Sequence, residues 1–505
     1  MRMLTRLGTI LVLIVVPAIL LVFAFTRAGM TRGLLESVFI VGPERSTRPI
    51  KLRIWDWWSP SGNENFGRYF AELERTFESR HPDVELCYEF IPFGSYVQKL
   101  ATAMVGRTPP DVFQASVFWA QGFYDRGMLR PLNDLFQNEG EEALAHRVAQ
   151  DMFLPSAWRH NHTTDHVVFG IPEIIDAACL VWNLDRLQEV ARHDRQIRDM
   201  FVHHSDGSID YDRIRFDAVT DWAHFRQIMR KLTSYQSDGT VEQAGFLIQA
   251  YGGGADMFSP WLASNGGRYQ DEAGTKAMFN GPTGVATMHF LADLYWKDRV
   301  CPPFRRQMQI TELFEEGKVA VIAAGTWSGV DIIRNTMGWR HFGKTAFPPG
   351  PTGRGQRTVC WGNMLVISRR CRNVEAAWRY IKFVCGLEGN LMRLKHLGYN
   401  GPRLDLYETE DWQRAQDKRP YLSNVKSICL AGDKLRHSEI IAADHQANPV
   451  IETILLSYPD IAAGRGPFAS VSDALDQAAA NVTGVYRRYN EQVAKWLAAR
   501  AETKP

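Results

Sequence analysis

The strongest constraint on the fold comes from one 22-residue segment, FGSYVQKLATAMVGRTPPDVFQ. Within it, Tyr96, Leu100 and Met104 recur four residues apart, which is typical of one apolar stripe on an amphipathic helix. Ser95 stands where a serine can cap the start of such a helix, and Gly106 stands where a helix can end. The first part of the segment therefore predicts a helix of about three turns.

The second part of the same segment predicts a strand and a loop. Two consecutive prolines forbid further helix, and Asp111–Phe113 begins a short apolar run that is typical of a buried strand. Gln114 to Ser116 follow at once and, being mainly polar, are predicted to form a loop. In open α/β sheets, ligands bind outside the carboxyl ends of the strands. The sequence therefore predicts that this loop faces a ligand.

The preceding residues extend the pattern into an alternation of strands and helices. Lys51–Trp57 and Val84–Phe90 alternate apolar and polar residues, as strands do. Glu64–Arg80 between them carries its apolar residues at helical spacing. This β-α-β-α-β order predicts an α/β fold with a mainly parallel sheet covered by helices.

Length and charge exclude some classes of protein. A chain of 505 residues is too long for one core and indicates two or more domains. The formal net charge of +2 gives no field strong enough to indicate a nucleic-acid partner.

The amino terminus predicts a membrane segment. Arg2 and Arg6 precede Leu7–Thr26, twenty residues without a charge, and as a helix these would span about 30 Å. A cleavable signal and an uncleaved anchor both fit residues 1–30, and the weak cleavage pattern favours the anchor. Residues 31–50 are predicted to be a tether. Either interpretation places the rest of the chain outside the cytoplasmic membrane.

The seven cysteines predict neither a metal site nor a cofactor. Their number is odd, and no CxxC or Cys/His spacing typical of a metal site is present. Apolar surroundings favour buried thiols, and disulfides stay open as an alternative outside the cytoplasm.

Two segments are predicted to cross between two lobes. Residues 167–183 contain two strand-like runs around a polar centre, and residues 358–367 form another long strand-like run.

Eight short motifs occur in the order in which they stand in the bacterial extracellular solute-binding proteins that serve carbohydrate ABC importers, and the chain resembles that family from about Leu52 to Trp496. The motifs are Ile54–Trp58; the opening 22-residue segment; Gly170–Pro172 with Leu180–Asn183; Thr220–Trp222; Trp261–Gly267; Phe314–Val319 with Gly325–Trp327; Trp361–Asn363 with Leu365–Ser368; and Gly401–Arg403.

The resemblance implies a two-lobed periplasmic-binding-protein fold of type II, similar to maltose-binding protein. It implies an amino-terminal lobe of residues 51–174 plus 363–412 and a carboxyl-terminal lobe of residues 175–362 plus 413–505. It also implies a monomer that binds a carbohydrate between the lobes and delivers it to the membrane subunits of an ABC permease.

Aromatic rings that cover the apolar face of a sugar, and polar groups that bind its hydroxyls, define the candidate ligand-binding residues. They are Trp57, Trp58, Gln114, Ser116, Trp119, Glu173, Asp176, Tyr251, Trp327, Trp361, Asn363 and Arg403.

For several of these candidates a structural role stays open. One of the adjacent Trp57 and Trp58 can be core, the two carboxylates can bind backbone in a hinge, and Arg403 can brace a turn. Three other tryptophans fall on helix stripes and are predicted to be core: Trp222, Trp296 and Trp378.

An enzyme is the less favoured reading. A glycosidase needs paired carboxylates, but Glu173 and Asp176 would point to opposite faces of a strand. Patterns for Ser hydrolases, zincins and P-loops are absent from the sequence. The acidic turn around His204 lacks the spacing of a metal loop and is predicted to be a solvated turn. A membrane-anchored sensor or accessory receptor of the same fold, or a binding protein for a polyol or other solute, remains the alternative function.

Overall fold

The computed structural model describes residues 50–62, 64–137, 147–163, 166–248, 254–302, 310–327, 341–434 and 440–502. The predicted anchor or signal at residues 1–30, the tether up to residue 49, and Tyr251 lie outside the described residues. Among the described residues no helix has the length and apolar character needed to cross a bilayer.

The strands are numbered in chain order. They are β1 (Ile50–Asp56), β2 (Val84–Phe90), β3 (Val112–Ser116), β4 (Ile171–Asn183), β5 (Phe201–His203), β6 (Ile209–Ile214), β7 (Ser234–Tyr235), β8 (Val241–Leu247), β9 (Val319–Gly325), β10 (Phe342–Thr345), β11 (Thr358–Ile367) and β12 (Gly432–Lys434).

The α-helices are numbered in the same way. They are α1 (Glu64–Arg80), α2 (Phe93–Val105), α3 (Ala120–Asp125), α4 (Asn133–Gln137), α5 (Pro155–Trp158), α6 (Leu184–Ala191), α7 (Arg195–Arg198), α8 (Trp222–Leu232), α9 (Gly254–Ser264), α10 (Pro282–Ala292), α11 (Ile310–Glu315), α12 (Val374–Cys385), α13 (Leu387–Leu397), α14 (Glu410–Lys418), α15 (Val425–Leu430), α16 (Ile440–Leu456), α17 (Tyr458–Ala462) and α18 (Val471–Glu502).

The main sheet is mixed, in the order β2-β1-β3-β11-β4-β9-β8-β7, with β10 paired to β4 and β12 to β11. The predicted β-α-β-α-β unit is confirmed, since β1 pairs in parallel with both β2 and β3. The strands β11 and β4 lie antiparallel to their neighbours in the middle of the sheet. We refer to β2, β1 and β3 with their helices as the β1 side, and to β9, β8 and β7 with theirs as the β9 side.

Two local predictions in the opening segment are wrong. The helix α2 begins at Phe93, so Ser95 lies in its first turn and donates from its hydroxyl to the carbonyl of Pro92 instead of capping. Gln114 to Ser116 are not a loop but the buried end of β3. They continue the strand because the sequence-distant β11 pairs with them, Asn363 opposite Ser116.

Both predicted crossings are long strands at the centre of the sheet. The first part of β4 pairs with β11, and its register passes to β9 at Ala178. Along β4, Ile171 and Ile174 pack into a cluster on the β1 side, whereas Ala178 and Leu180 pack into a cluster on the β9 side. The proposed lobe boundaries stay a prediction.

Alternating residues of the β1 side fill two separate cores, one on each face of the sheet. Leu52 and Ile54 pack on one face, and Trp55 with Phe113 packs on the other. This is the consequence of the two-residue period of a strand.

Of the three tryptophans predicted to be core residues, two are buried and one is not. Trp222 and Trp378 are core residues, as their helix stripes predict. Trp296 is 42% exposed and its indole donates to the carbonyl of Leu455, so its assignment to the core is wrong. It lies in a π-helical turn, Asp293–Lys297, which breaks the 3.6-residue period on which the prediction depends.

Five of the seven cysteines are buried, and Cys87 and Cys371 are partly buried. Burial raises the pKa of the Cys179 thiol to about 12, which keeps it protonated at neutral pH. The acidic turn after His203 joins β5 to β6, and Asp206 accepts hydrogen bonds from Ser208 within it.

Candidate functional site

A cleft of about 300 Å³ opens where elements from the β1 side and the β9 side meet at the centre of the sheet. Its described lining residues are mainly aromatic and apolar. They are Phe93, Phe118, Ala178, Asp256, Pro260, Ala323, Ala324, Gly325, Trp327, Phe347, Val359 and Trp361.

The two predicted residues Trp327 and Trp361 lie together in this lining. Trp327 follows the end of β9, and Trp361 stands in β11. A Cβ atom added to Gly325 would stand 2.3 Å from the Trp327 ring and 3.1 Å from the Trp361 ring. A glycine at 325 is therefore the residue that lets both indoles pack close to the backbone of β9.

Aromatic residues of the β1 side stand opposite. Phe93, at the start of α2, is 55% exposed and lines the cleft. Trp57 packs edge-on against Phe93, with ring centroids 5.4 Å apart, and also contacts Tyr96 and Trp119. The predicted residues Trp57 and Trp119 thus lie directly behind a cleft residue rather than in the described lining.

Phe118 joins the two walls of the cleft. Its ring lies 6.4 Å from the ring of Trp361. It follows Ser116, whose hydroxyl accepts a hydrogen bond from the amide of Phe118 at 3.4 Å. Ser116 is itself buried, so its described contact shapes the turn that presents Phe118.

One charged side chain is found among the described lining residues, that of Asp256. It lies in the first turn of α9, where the helix dipole favours an acidic side chain. Pro260, one turn further along, adds an apolar surface on the same face. The cleft thus combines rings that cover an apolar face with a carboxylate that accepts hydrogen bonds.

Trp58 occupies a different place from its neighbour Trp57. Its ring contacts Phe66 and Tyr399 at centroid distances of 5.1 and 5.3 Å. The two adjacent tryptophans, which follow the end of β1, therefore pack into different clusters.

Glu173 and Gln114 form a buried polar network behind the sheet. Gln114 donates to Glu173 at 2.8 Å, and Arg393 donates to the other carboxylate oxygen of Glu173 at 2.9 Å. Both the Arg393 and Glu173 side chains are almost fully buried. Asp56 lies close by, and burial, followed by the charge of Glu173, raises the pKa of Asp56 well above its usual range. Glu173 and Gln114 thus lie in this buried network and outside the described lining of the cleft.

Asp176 is also buried, yet its partners are neutral. Its carboxylate accepts hydrogen bonds from Thr326 at 3.0 Å and from Tyr399 at 2.6 Å. Burial raises the pKa of Asp176 to about 6, and the two hydroxyl donors act against that shift. Asp176 is therefore hydrogen-bonded to Thr326, which lies in the turn that carries Trp327.

Asn363 and Arg403 lie outside the described lining of the cleft. Asn363 stands in β11 at an irregularity in the pairing with β4. The fully buried Arg403 forms a bidentate ion pair with Asp405 and donates to the carbonyl of Arg147. That geometry is the turn-bracing role left open above.

Sequence reasoning missed Phe93, Asp256, Pro260 and Phe347 as lining residues. Phe93 precedes the predicted helix that Ser95 caps, and Asp256 follows the glycines after the candidate Tyr251. An acidic residue at the start of a helix that follows glycines was the available signal for Asp256.

The chemistry that the cleft offers is recognition of a solute through aromatic faces and one carboxylate. Two indoles and three phenylalanine rings line the cleft and offer apolar contact surface for a ring. Among the described residues, no group of three or more His, Cys, Asp or Glu side chains could hold a metal ion.

Solved structures with the same fold bind sugars. The GacH receptor of Streptomyces glaucescens, solved unliganded and with acarbose, is 19% identical, with a TM-score of 0.61 over 87% of this chain and 98% of that one. A cyclic α-maltosyl-1,6-maltose binding protein from Arthrobacter globiformis is 17% identical, with a TM-score of 0.66 over 87% and 100%. Maltose-bound MalE3 of T. maritima is 18% identical, with a TM-score of 0.62 over 86% and 100%.

Sequence comparison agrees with the fold. A candidate binding protein of Brucella abortus (strain 2308) is 21% identical over 363 residues, which cover 71% of this chain and 76% of that protein. The profile of the family described as bacterial extracellular solute-binding protein matches residues 72–420. Because this match spans well over half of the chain, the protein belongs to the bacterial extracellular solute-binding proteins.

Proposed function

We propose that this protein captures a sugar or oligosaccharide outside the cytoplasmic membrane and delivers it to the permease of an ABC importer. The observation that carries the proposal is the pair Trp327 and Trp361, which meet over Gly325 and face Phe93 and Phe118 across one cleft. Acarbose, maltose and a cyclic maltosyl sugar are the ligands of the structures with the same fold.

The cleft suits a carbohydrate because a pyranose ring has an apolar C–H face and a rim of hydroxyls. The rings of Trp327 and Trp361 would cover that face, and Asp256 would accept from hydroxyls. Solute that touches both sides of the cleft would favour the closed form of two lobes, divided as residues 51–174 plus 363–412 and 175–362 plus 413–505.

Residues 7–26 would keep the protein at the extracytoplasmic face of the membrane. An uncleaved anchor raises the effective concentration of the binding protein at its permease without a lipid modification. The protein would act as a monomer, without a metal or cofactor.

The test is calorimetric titration of the full chain, kept in a detergent without a sugar headgroup, against mono- and oligosaccharides and polyols. The Trp327→Ala variant should weaken binding about 10- to 100-fold, because it removes an aromatic face that the solute covers. The loss of binding free energy should be much larger than the loss of unfolding free energy, which the melting temperature reports.

Trp296→Phe is the matched control, because Trp296 is a partly exposed tryptophan outside the described lining. It should keep wild-type affinity. A folded protein that binds nothing in the panel would reject the sugar proposal. If Trp327→Ala lowers the free energies of binding and of unfolding equally, Trp327 is a core residue and not a ligand-binding one.

A further inference from the structure

The turn that carries Trp327 is fixed to the centre of β4 by three hydrogen bonds. The Thr326 amide donates to the carbonyl of Ala177 at 2.9 Å, and the Ala177 amide donates to the Thr326 hydroxyl at 3.2 Å. The same hydroxyl donates to Asp176 at 3.0 Å. Hydrogen bonds with β4 therefore hold Thr326, the residue before the cleft tryptophan, in place.

The second oxygen of the same carboxylate is bound from the other side of the molecule. Tyr399, which follows α13, donates to Asp176 at 2.6 Å and belongs to a core cluster of the β1 side. Its ring also packs against Trp58. The Asp176 carboxylate thus accepts one hydrogen bond from a hydroxyl of the β1 side and one from a hydroxyl of the β9 side. It lies where β4 stops pairing with β11 and begins to pair with β9.

The electrostatics of this site are unusual for a structural contact. Asp176 is 5% exposed, and Lys344, whose charge acts on Asp176, donates to the carbonyl of Thr326 instead of to the carboxylate. Burial also lowers the pKa of Lys344, to about 8. A buried carboxylate without a direct ion pair costs free energy, which the two hydroxyl donors only partly offset.

We propose that Asp176 is a positioning residue that joins Tyr399 on the β1 side to the Thr326 turn on the β9 side, and so fixes the orientation of Trp327 in the cleft. The proposal deepens the proposed function and rests on it for the consequence in solute binding. The orientation of the indole itself does not depend on that function.

The test compares two single-hydroxyl deletions. Tyr399→Phe removes the hydroxyl that donates to Asp176. Tyr407→Phe is the matched control, because its equally buried hydroxyl donates to the carbonyl of Gly401 and does not touch Asp176. Each variant should lose stability, since each removes a buried hydroxyl that donates a hydrogen bond.

The decisive measurement is the ¹⁹F spectrum of the full-length protein labelled with 5-fluorotryptophan, with the Trp327 resonance assigned by Trp327→Phe. Tyr399→Phe and the isosteric Asp176→Asn should shift or broaden that resonance in the solute-free protein, and Tyr407→Phe should not. Affinity for maltotriose should fall about three- to tenfold in the first two variants only.

An unchanged Trp327 resonance in Tyr399→Phe and Asp176→Asn would overturn the inference, as would an equal change in Tyr407→Phe. If the wild-type protein binds no maltotriose or other sugar, the proposed function fails. The ¹⁹F comparison still decides whether Asp176 positions Trp327.

Discussion

Glu173 and Asp176 lie three residues apart on the same buried strand, yet they stand in opposite environments. Glu173 faces a fully buried arginine and is held by charge, with Gln114 as a further donor. Asp176 is held by two neutral hydroxyls and forms no ion pair with any residue that the structure describes. The first carboxylate belongs to a network inside the β1 side, and the second joins that side to the turn of the cleft.

The difference indicates that β4 has two roles, one in the stability of the fold and one in the shape of the cleft. An ion pair in a dry interior is costly to break, because the remaining charge has no solvent. A carboxylate held by hydroxyls is easier to perturb and responds to pH. We therefore expect changes around Glu173 to alter stability, and changes around Asp176 to alter the cleft.

The largest effect should come from Arg393→Met. The substitution leaves Glu173 and Asp56 buried without their cation, so the free energy of unfolding should fall by about 3–5 kcal/mol. Urea denaturation followed by circular dichroism measures it. Arg414→Met, which removes an exposed arginine paired with Glu410, is the control and should leave stability nearly unchanged. A loss below about 1 kcal/mol in Arg393→Met would contradict the comparison.

The next effect concerns pH. Burial raises the pKa of Asp176 from 3.8 to about 6, so between these values the folded protein holds a proton that the unfolded chain has lost. The stabilisation is complete below about pH 4 and is lost as the pH rises through 6, at up to about 1.4 kcal/mol per pH unit.

Asp176→Asn should remove this slope from the free energy of unfolding measured between pH 4 and 6. Tyr399, Thr326, Lys344 and the backbone of Trp327 face the carboxylate, and Lys344 keeps its charge throughout that range. Thr326→Ser retains the hydroxyl and should keep the wild-type slope. The same slope in Asp176→Asn and the wild type would assign the titration to another group.

The smallest effect should come from Tyr69→Phe. Its hydroxyl accepts a hydrogen bond from Arg393 at 3.0 Å, so its removal should cost about 0.5–1.5 kcal/mol of stability. Titration with maltotriose should show unchanged affinity, unlike the result expected for Tyr399→Phe. A weaker affinity in Tyr69→Phe would show that the network around Glu173 also controls the cleft.

Much of the fold was predictable because it depends on local pattern. The helix Glu64–Arg80, the strand Val84–Phe90 and the long strand Thr358–Ile367 have the bounds that periodicity predicts. Trp327 and Trp361 as cleft residues followed from short motifs and from the resemblance to a family.

The candidate site was harder to predict where a side chain has two possible uses. Gln114 and Glu173 are polar strand residues, but each is bonded to a buried partner distant in the chain. Arg403 is bonded to Asp405, two residues on, and to the distant carbonyl of Arg147. The sequence gives the type of each residue but not its hydrogen-bond partner. A ligand-binding role and a structural role therefore both fitted the pattern.

The sequence by itself determined the alternation of strands and helices, the crossing strands and the aromatic residues available for a cleft, because these depend on side-chain spacing along the chain. Only the tertiary structure decided that Gln114 to Ser116 continue β3, that Phe93 and Asp256 share the cleft, and that Asp176 meets Tyr399 and Thr326. These outcomes depend on contacts between residues more than a hundred positions apart, and such contacts leave no local periodicity in a single sequence.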